Sequence, residues 1–177
     1  MENSGVLGGR GHTTMTEYSL AAPGIADYFK FGFVRNPWER LVSAYFFFLN
    51  MPKDYWMYQD NEKIIAVVRS YASFSEFAIK LSEACLWPHA RVFWPQSTLL
   101  CLPSGEIGVD FVGRHEQLDQ DWKRVCRKLD VKEDVPLPRD NLSRHEHYSR
   151  YYGSKERDCV AKLYESDLRL FGYDWLS

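Results

Sequence analysis

Two kinds of apolar spacing run through this chain. From Tyr28 to Val34 the apolar and aromatic residues show little alternation, the pattern of a short strand buried on both faces. Straight after it the spacing becomes helical. Asn36 is a good N-cap, Pro37 fits the first helical position, and Glu39 stands three residues beyond the cap, where its carboxylate can reach back to an orphan amide. The sequence therefore predicts a helix from Pro37 onward, with Arg35 at the junction.

Further along, Ser73 and Glu76 form a capping box ahead of Phe74, Phe77, Ala78 and Leu81, which predicts a short helix packed by one face. Leu86 to Leu102 is interrupted by Pro88 and Pro95 and ends in an apolar run, so it reads as a loop followed by a short strand. After a turn at Ser104-Gly105, Val109 to Val112 reads as a strand, and Leu118, Trp122, Val125, Cys126 and Leu129 keep helical spacing. Pro136 and Pro138 break regular structure ahead of a polar loop holding Asn141, Ser143, Arg144, His145 and His147. Ser154 opens a last helix whose Val160, Leu163, Tyr164, Leu168 and Phe171 share one stripe. Strands alternating with helices predict a small three-layer α/β domain around a mainly parallel sheet. Residues 1–11 are Gly-rich, lack apolar anchors, and are expected to be flexible.

Composition narrows the class. With 177 residues, 45% hydrophobic, the chain is large enough for one hydrophobic core, and a single domain over residues 1–177 is the simplest division. A net charge of -2 gives no global signal for nucleic acid or an anionic membrane, so any anion site must be local. No stretch has the length of a membrane span, and the first thirty residues lack the order of a signal peptide. Cys85, Cys101, Cys126 and Cys159 form no CxxC pair and no zinc spacing, so reduced thiols are expected, with a Cys85–Cys101 bridge as the alternative in an oxidising compartment. His145 and His147 make an HxH pair without a third ligand, and no metal is expected.

The junction carries the chemistry. A helix N-terminus holds partial positive charge, Arg35 adds a forked cation beside it, and Ser43 lies two turns along the same face, an arrangement suited to a phosphate. The alternative for Arg35 is a plain ion pair with a carboxylate such as Glu39.

The spacing of Arg35, Pro37, Arg40, Leu41, Ser43 and Tyr45 resembles the 3′-phosphate-binding segment of sulfotransferases that use PAPS (3′-phosphoadenosine 5′-phosphosulfate), especially the carbohydrate-modifying branch similar to heparan sulfate 2-O- and chondroitin sulfotransferases. Trp94-Pro95-Gln96, the run Val109 to Glu116 with Asp121-Trp122, Leu137-Pro138 through Tyr152, and Phe171-Gly172-Tyr173-Asp174 extend the likeness in the same order, over about residues 11 to 177. The resemblance implies a P-loop-like sulfotransferase fold, PAPS as sulfuryl donor without a metal, and a carbohydrate or other hydroxyl acceptor. It implies 3′-phosphate contacts from Arg35 and Ser43, with Ser143 and Arg144 as further cofactor-binding candidates. Gly11-His12-Thr13 resembles the Gly-His segment that precedes the same strand in the 2-O-sulfotransferase type, which makes His12 the candidate base; the alternative is a histidine without function.

The chain departs from the family at one point. Sulfotransferases normally begin with a strand, a Gly/Ser/Thr-rich loop carrying a lysine, and a helix that cradle the 5′-phosphosulfate, and nothing before Arg35 matches that pattern with its lysine. Gly8 to Thr14 looks superficially like a phosphate loop, yet only Val6 and Leu7 precede it as apolar residues. The expectation is an N-terminally shortened member, or a non-catalytic relative that binds PAP, PAPS or a partner without turnover. A partner chain or an upstream segment would then cover an exposed sheet edge. Golgi enzymes of this family carry a membrane anchor, so the expected compartment is the cytoplasm, with the Golgi lumen as the alternative for a fragment of an anchored enzyme. A P-loop NTPase is excluded by the missing GxxxxGK[ST] sequence.

Overall fold

A computed structural model of the chain describes residues 12–81, 90–132, 135, 137 and 143–176. Its α-helices are α1 (Met15–Ala21), α2 (Pro37–Leu49), α3 (Glu62–Ser70), α4 (Phe74–Lys80), α5 (Gln96–Leu100), α6 (Leu118–Lys128), α7 (Ser154–Leu163) and α8 (Glu165–Phe171); its strands are β1 (Phe31–Val34) and β2 (Phe111–Arg114). Residues 1–11, for which flexibility is expected, lie outside the described residues, as do Cys85, Trp87 and Asn141. The chain divides into two compact units, one of Met1–Val34 with Pro95–Leu137, the other of Arg35–Trp94 with Pro138–Ser177.

The first unit is organised by β1 and β2, which pair in parallel from Phe31↔Phe111 to Val34↔Arg114. Two carboxylates fix them. Asp110 accepts from the Lys30 backbone N–H at 2.7 Å and pairs with its Nζ at 2.9 Å, which aligns the strand starts. Asp121, buried in the first turn of α6, accepts from the Arg114 N–H at 2.7 Å and from Arg124 Nη1 at 2.8 Å, tying the helix to the end of β2. Gly113 is required by close approach, because a Cβ there would lie 2.5 Å from Phe33 Cε1. Val125 and Cys126 are fully buried beneath, as the helical spacing predicts.

Three expectations change in this unit. The apolar run through Tyr28 pairs only from Phe31, and Tyr28 itself is 72% exposed. The strand expected before Leu102 is instead the single turn of α5, which follows Pro95 as its N-cap, and then a bridge between Cys101 and Ile107. The later strand begins at Phe111 in place of Val109. The result is helix-rich α/β, with a two-stranded parallel sheet among the described residues.

The second unit is built around α2. Trp38, Leu41, Val42, Tyr45 and Phe48 fall at helical spacing and are all buried, packed with Ile65 and Val68 of α3, Phe74, Phe77 and Ala78 of α4, Phe93, and Val160 and Tyr164. Burying each such side chain contributes about 1.5–3 kcal/mol. Tyr45 meets Phe74 and Phe77 at ring distances of 5.3 and 5.0 Å. At the far end of α2, Arg69 closes the last turn, donating to the carbonyls of Leu49 at 3.1 Å and Met51 at 2.7 Å. The last helical stripe is split in two at Tyr164, whose hydroxyl donates to the Phe93 carbonyl at 2.9 Å, and the chain leaves α8 through Gly172 in the left-handed region at φ 63°. No described helix is long and apolar enough to cross a membrane.

Candidate functional site

The site in the second unit grows from the first turn of α2. The Asn36 side chain accepts from the amides of Trp38 at 3.0 Å and Glu39 at 3.3 Å, as its N-cap position predicts, and its own Nδ2 donates to the Asp174 carbonyl at 3.1 Å. Asn36 is fully buried. These two amides are therefore spent on the cap, so an anion here must be held mainly by side chains, aided by the helix dipole.

Arg35 supplies the first cation. Its Nη2 lies 3.0 Å from Glu39 Oε1, so the ion pair weighed from the sequence is formed. Glu39 and Ser43 are four residues apart on α2 and share one face. Ser43 in turn hydrogen-bonds Ser143, their hydroxyl oxygens 2.7 Å apart. Arg144 follows, exposed, with no hydrogen bond or ion pair engaging it among the described residues. The loop is pinned beside them by Phe46, three residues beyond Ser43, whose ring lies 6.0 Å from His145 and 4.9 Å from Tyr151. Tyr151 Oη also accepts from the Glu146 N–H at 3.0 Å.

Arg40, the second arginine of the motif, has a structural role. Its Nη2 donates to the Val92 carbonyl at 2.7 Å and its guanidinium stands 5.9 Å from the Tyr164 ring. Burial lowers the Arg40 pKa, while the nearby Tyr164 and Asp167 charges raise it. Burial likewise drives Tyr164 well above the ordinary range of a phenol.

Thus Arg35, Ser43, Ser143 and Arg144 belong to one unit, with Ser43 and Ser143 in direct contact. His12 belongs to the other. It is exposed and adopts φ 54°, a left-handed conformation in which histidine is several-fold enriched, two residues before Thr14 opens α1 with a reciprocal capping box to Glu17. His145 and His147 are engaged locally, with Nδ1 of His145 2.7 Å from the Glu146 carbonyl oxygen and Nδ1 of His147 2.8 Å from Ser149 Oγ. The described residues hold no cluster of three metal-ligating side chains.

Sequence reasoning misses the clasp of Phe46 on His145 and Tyr151, although the i, i+3 spacing from Ser43 is its signal. It also misses a surface cleft of 310 Å³ lined by Ser149, Tyr152, Gly153, Ser154, Arg157 and Trp175. Of the tryptophans, Trp56 is 76% exposed, Trp38 is core and donates to the Arg157 carbonyl at 3.1 Å, and Trp94 lies 5.1 Å beneath the Arg91 guanidinium.

Arginine and serine side chains are suited to holding an oxyanion; here Ser43 and Ser143 touch each other and Arg35 is paired with Glu39. A model of the sulfotransferase family matches residues 10–174. Carbohydrate sulfotransferase 12 of Mus musculus is 30% identical over 175 residues, covering 84% of this chain and 41% of that protein. Carbohydrate sulfotransferase 10 of Homo sapiens is 29% identical over 179 residues, covering 84% and 48% respectively. Carbohydrate sulfotransferase 8 of Mus musculus is 28% identical over 170 residues, covering 84% and 40%. The chain spans less than half the length of these relatives. No solved structure matches it.

Proposed function

Because the chain belongs to the sulfotransferase family, we propose that it takes part in sulfuryl transfer from PAPS to a hydroxyl of a carbohydrate acceptor, holding the donor's 3′-phosphate with Arg35, Ser43, Ser143 and Arg144. The observation that carries this reading is the Ser43–Ser143 contact, which joins the motif on α2 to the polar loop 100 residues away. Both are donors to an oxyanion once they turn from each other to a ligand. When bound, PAPS supplies the activated sulfuryl group. The residues of the chain bind, orient and move a proton: Arg35 and Arg144 offset phosphate charge, the serines fix its oxygens, and the His12 imidazole takes the proton of the acceptor hydroxyl. No metal is part of this reading.

One family model runs across both units, which supports taking residues 1–177 as a single sulfotransferase-like domain, with β1 and β2 as part of the wider parallel sheet of the P-loop-like fold. We place the protein in the cytoplasm, or in the Golgi lumen if the sequence is a piece of an anchored enzyme.

The test is incubation with radiolabelled PAPS and a panel of glycan acceptors. Label transferred to a glycan by the wild type, and lost in His12→Ala with PAP binding retained, supports the reading. Binding of PAP without label transfer to any acceptor favours the binding-only relative.

A further inference from the structure

We propose that Glu39 is a resident counter-anion of the phosphate site, competing with a ligand phosphate for Arg35 and thereby setting how tightly the site holds 3′-phosphorylated nucleotides. The inference rests on the reading of Arg35 as a phosphate ligand and adds the device that regulates it.

The geometry places both charges in the same spot. Arg35 Nη2 and Glu39 Oε1 are 3.0 Å apart, with only 20% and 29% of the two side chains exposed. A pair so shielded is screened less by water and salt than an exposed one. Glu39 is also held for reasons independent of Arg35. It is in the first turn of α2, where the helix dipole favours a carboxylate, on the turn that Asn36 caps rigidly through the Trp38 and Glu39 amides. The carboxylate therefore stays near the guanidinium whichever partner the guanidinium takes.

The neighbouring charge gives no relief. Arg40 is committed to the Val92 carbonyl, the Tyr164 ring and the field of Asp167, so Arg35 is the cation that a ligand at this turn can recruit. A phosphate reaching Arg35 must displace Glu39 or share the guanidinium with it, and in both cases it meets a like charge within about one side-chain length. The same pattern recurs one turn on, where Ser43 and Ser143 satisfy each other at 2.7 Å. The site is thus closed on internal partners that imitate the two halves of a phosphate contact. A functional consequence follows for turnover: a 3′-phosphate that must keep competing with a tethered carboxylate leaves more readily, which favours release of spent PAP.

The experiment is calorimetric titration of wild type, Glu39→Gln, Arg35→Ala and the double variant with PAP, and with adenosine 5′-phosphate as a probe lacking the 3′-phosphate. Glu39→Gln keeps the shape and removes the charge, so PAP binding tightens about tenfold, adenosine 5′-phosphate is unaffected, and the gain disappears in the Arg35→Ala background. Unchanged or weaker PAP binding by folded Glu39→Gln overturns the inference. Should Glu39→Gln not fold, Glu39→Asp withdraws the carboxylate by one methylene and is required to tighten PAP in the same direction; no tightening again overturns it. If the wild type binds PAP and Arg35→Ala binds equally well, the phosphate-site reading fails first, and the role of Glu39 with it. Binding that depends on Arg35 and ignores Glu39 overturns this inference alone.

Discussion

The hydroxyl oxygens of Ser43 and Ser143 lie 2.7 Å apart, although 100 residues separate them along the chain. Ser43 is placed by α2 and Ser143 by a loop that Phe46 clasps through His145 and Tyr151. The contact therefore reports two things at once: that the loop is seated on the helix, and that two hydroxyls distant in sequence converge.

Replacing either serine by alanine leaves the other hydroxyl half-buried and unpaired at that position. Each single change is expected to cost about 1 kcal/mol of stability, with a coupling of about 0.5–1 kcal/mol in a double-mutant cycle measured by urea unfolding. PAP affinity falls in both variants. Additive stabilities would show that the two hydroxyls act separately.

Asn36→Ala is expected to be more damaging. It removes an N-cap that serves two amides and the bond to the Asp174 carbonyl, all at a fully buried position, for about 2 kcal/mol. Asn36→Asp keeps the acceptor and recovers part of the loss. Chemical denaturation of the two variants checks the order.

Acid stability has a specific contributor in Glu156. Its carboxylate accepts from the Ser75 hydroxyl and, at 2.9 Å, from the Gly153 N–H, and these bonds hold its pKa below the ordinary 4.5, the Ser75 bond most of all. A carboxyl lowered by folding stabilises above its unfolded pKa and stops doing so as pH falls through the folded value. The stability gap between wild type and Glu156→Gln is therefore widest near about pH 7 and closes progressively below about pH 4.5. Unfolding curves across that window decide it; a gap independent of pH would contradict the assignment.

His12 is exposed and left-handed at φ 54°. His12→Ala is expected to retain the thermal midpoint and PAP affinity of the wild type while sulfuryl transfer drops by about a hundredfold or more. Loss of PAP binding in the same variant would move His12 from proton transfer to ligand binding.

The corner from Arg35 to Tyr45 is legible in the sequence because its signals are local: a capping asparagine, a proline that fits the first turn, and an apolar stripe at helical spacing. Its partners in space are not. The pairing of Ser43 with Ser143 depends on how a polar loop returns to the helix, which no short-range pattern encodes. The run before Cys101 shows the reverse error, since Thr98, Leu99 and Leu100 suit a strand while the chain forms a helical turn after its Pro95 N-cap. Arg40 shares its motif with Arg35, yet only its packing against Tyr164 and its bond to the Val92 carbonyl assign it to the core, while Arg35 pairs with Glu39. The last stripe is continuous in sequence and broken in space at Tyr164, where a buried hydroxyl takes the Phe93 carbonyl.

Whether Arg35 anchors a 3′-phosphate is decided by titrating the purified chain and Arg35→Ala with PAP. The wild type is expected to bind PAP saturably and the variant at least about tenfold more weakly, the loss expected for one charged hydrogen-bonding partner. Equal binding by the two folded proteins, or none by the folded wild type, would contradict that role of Arg35.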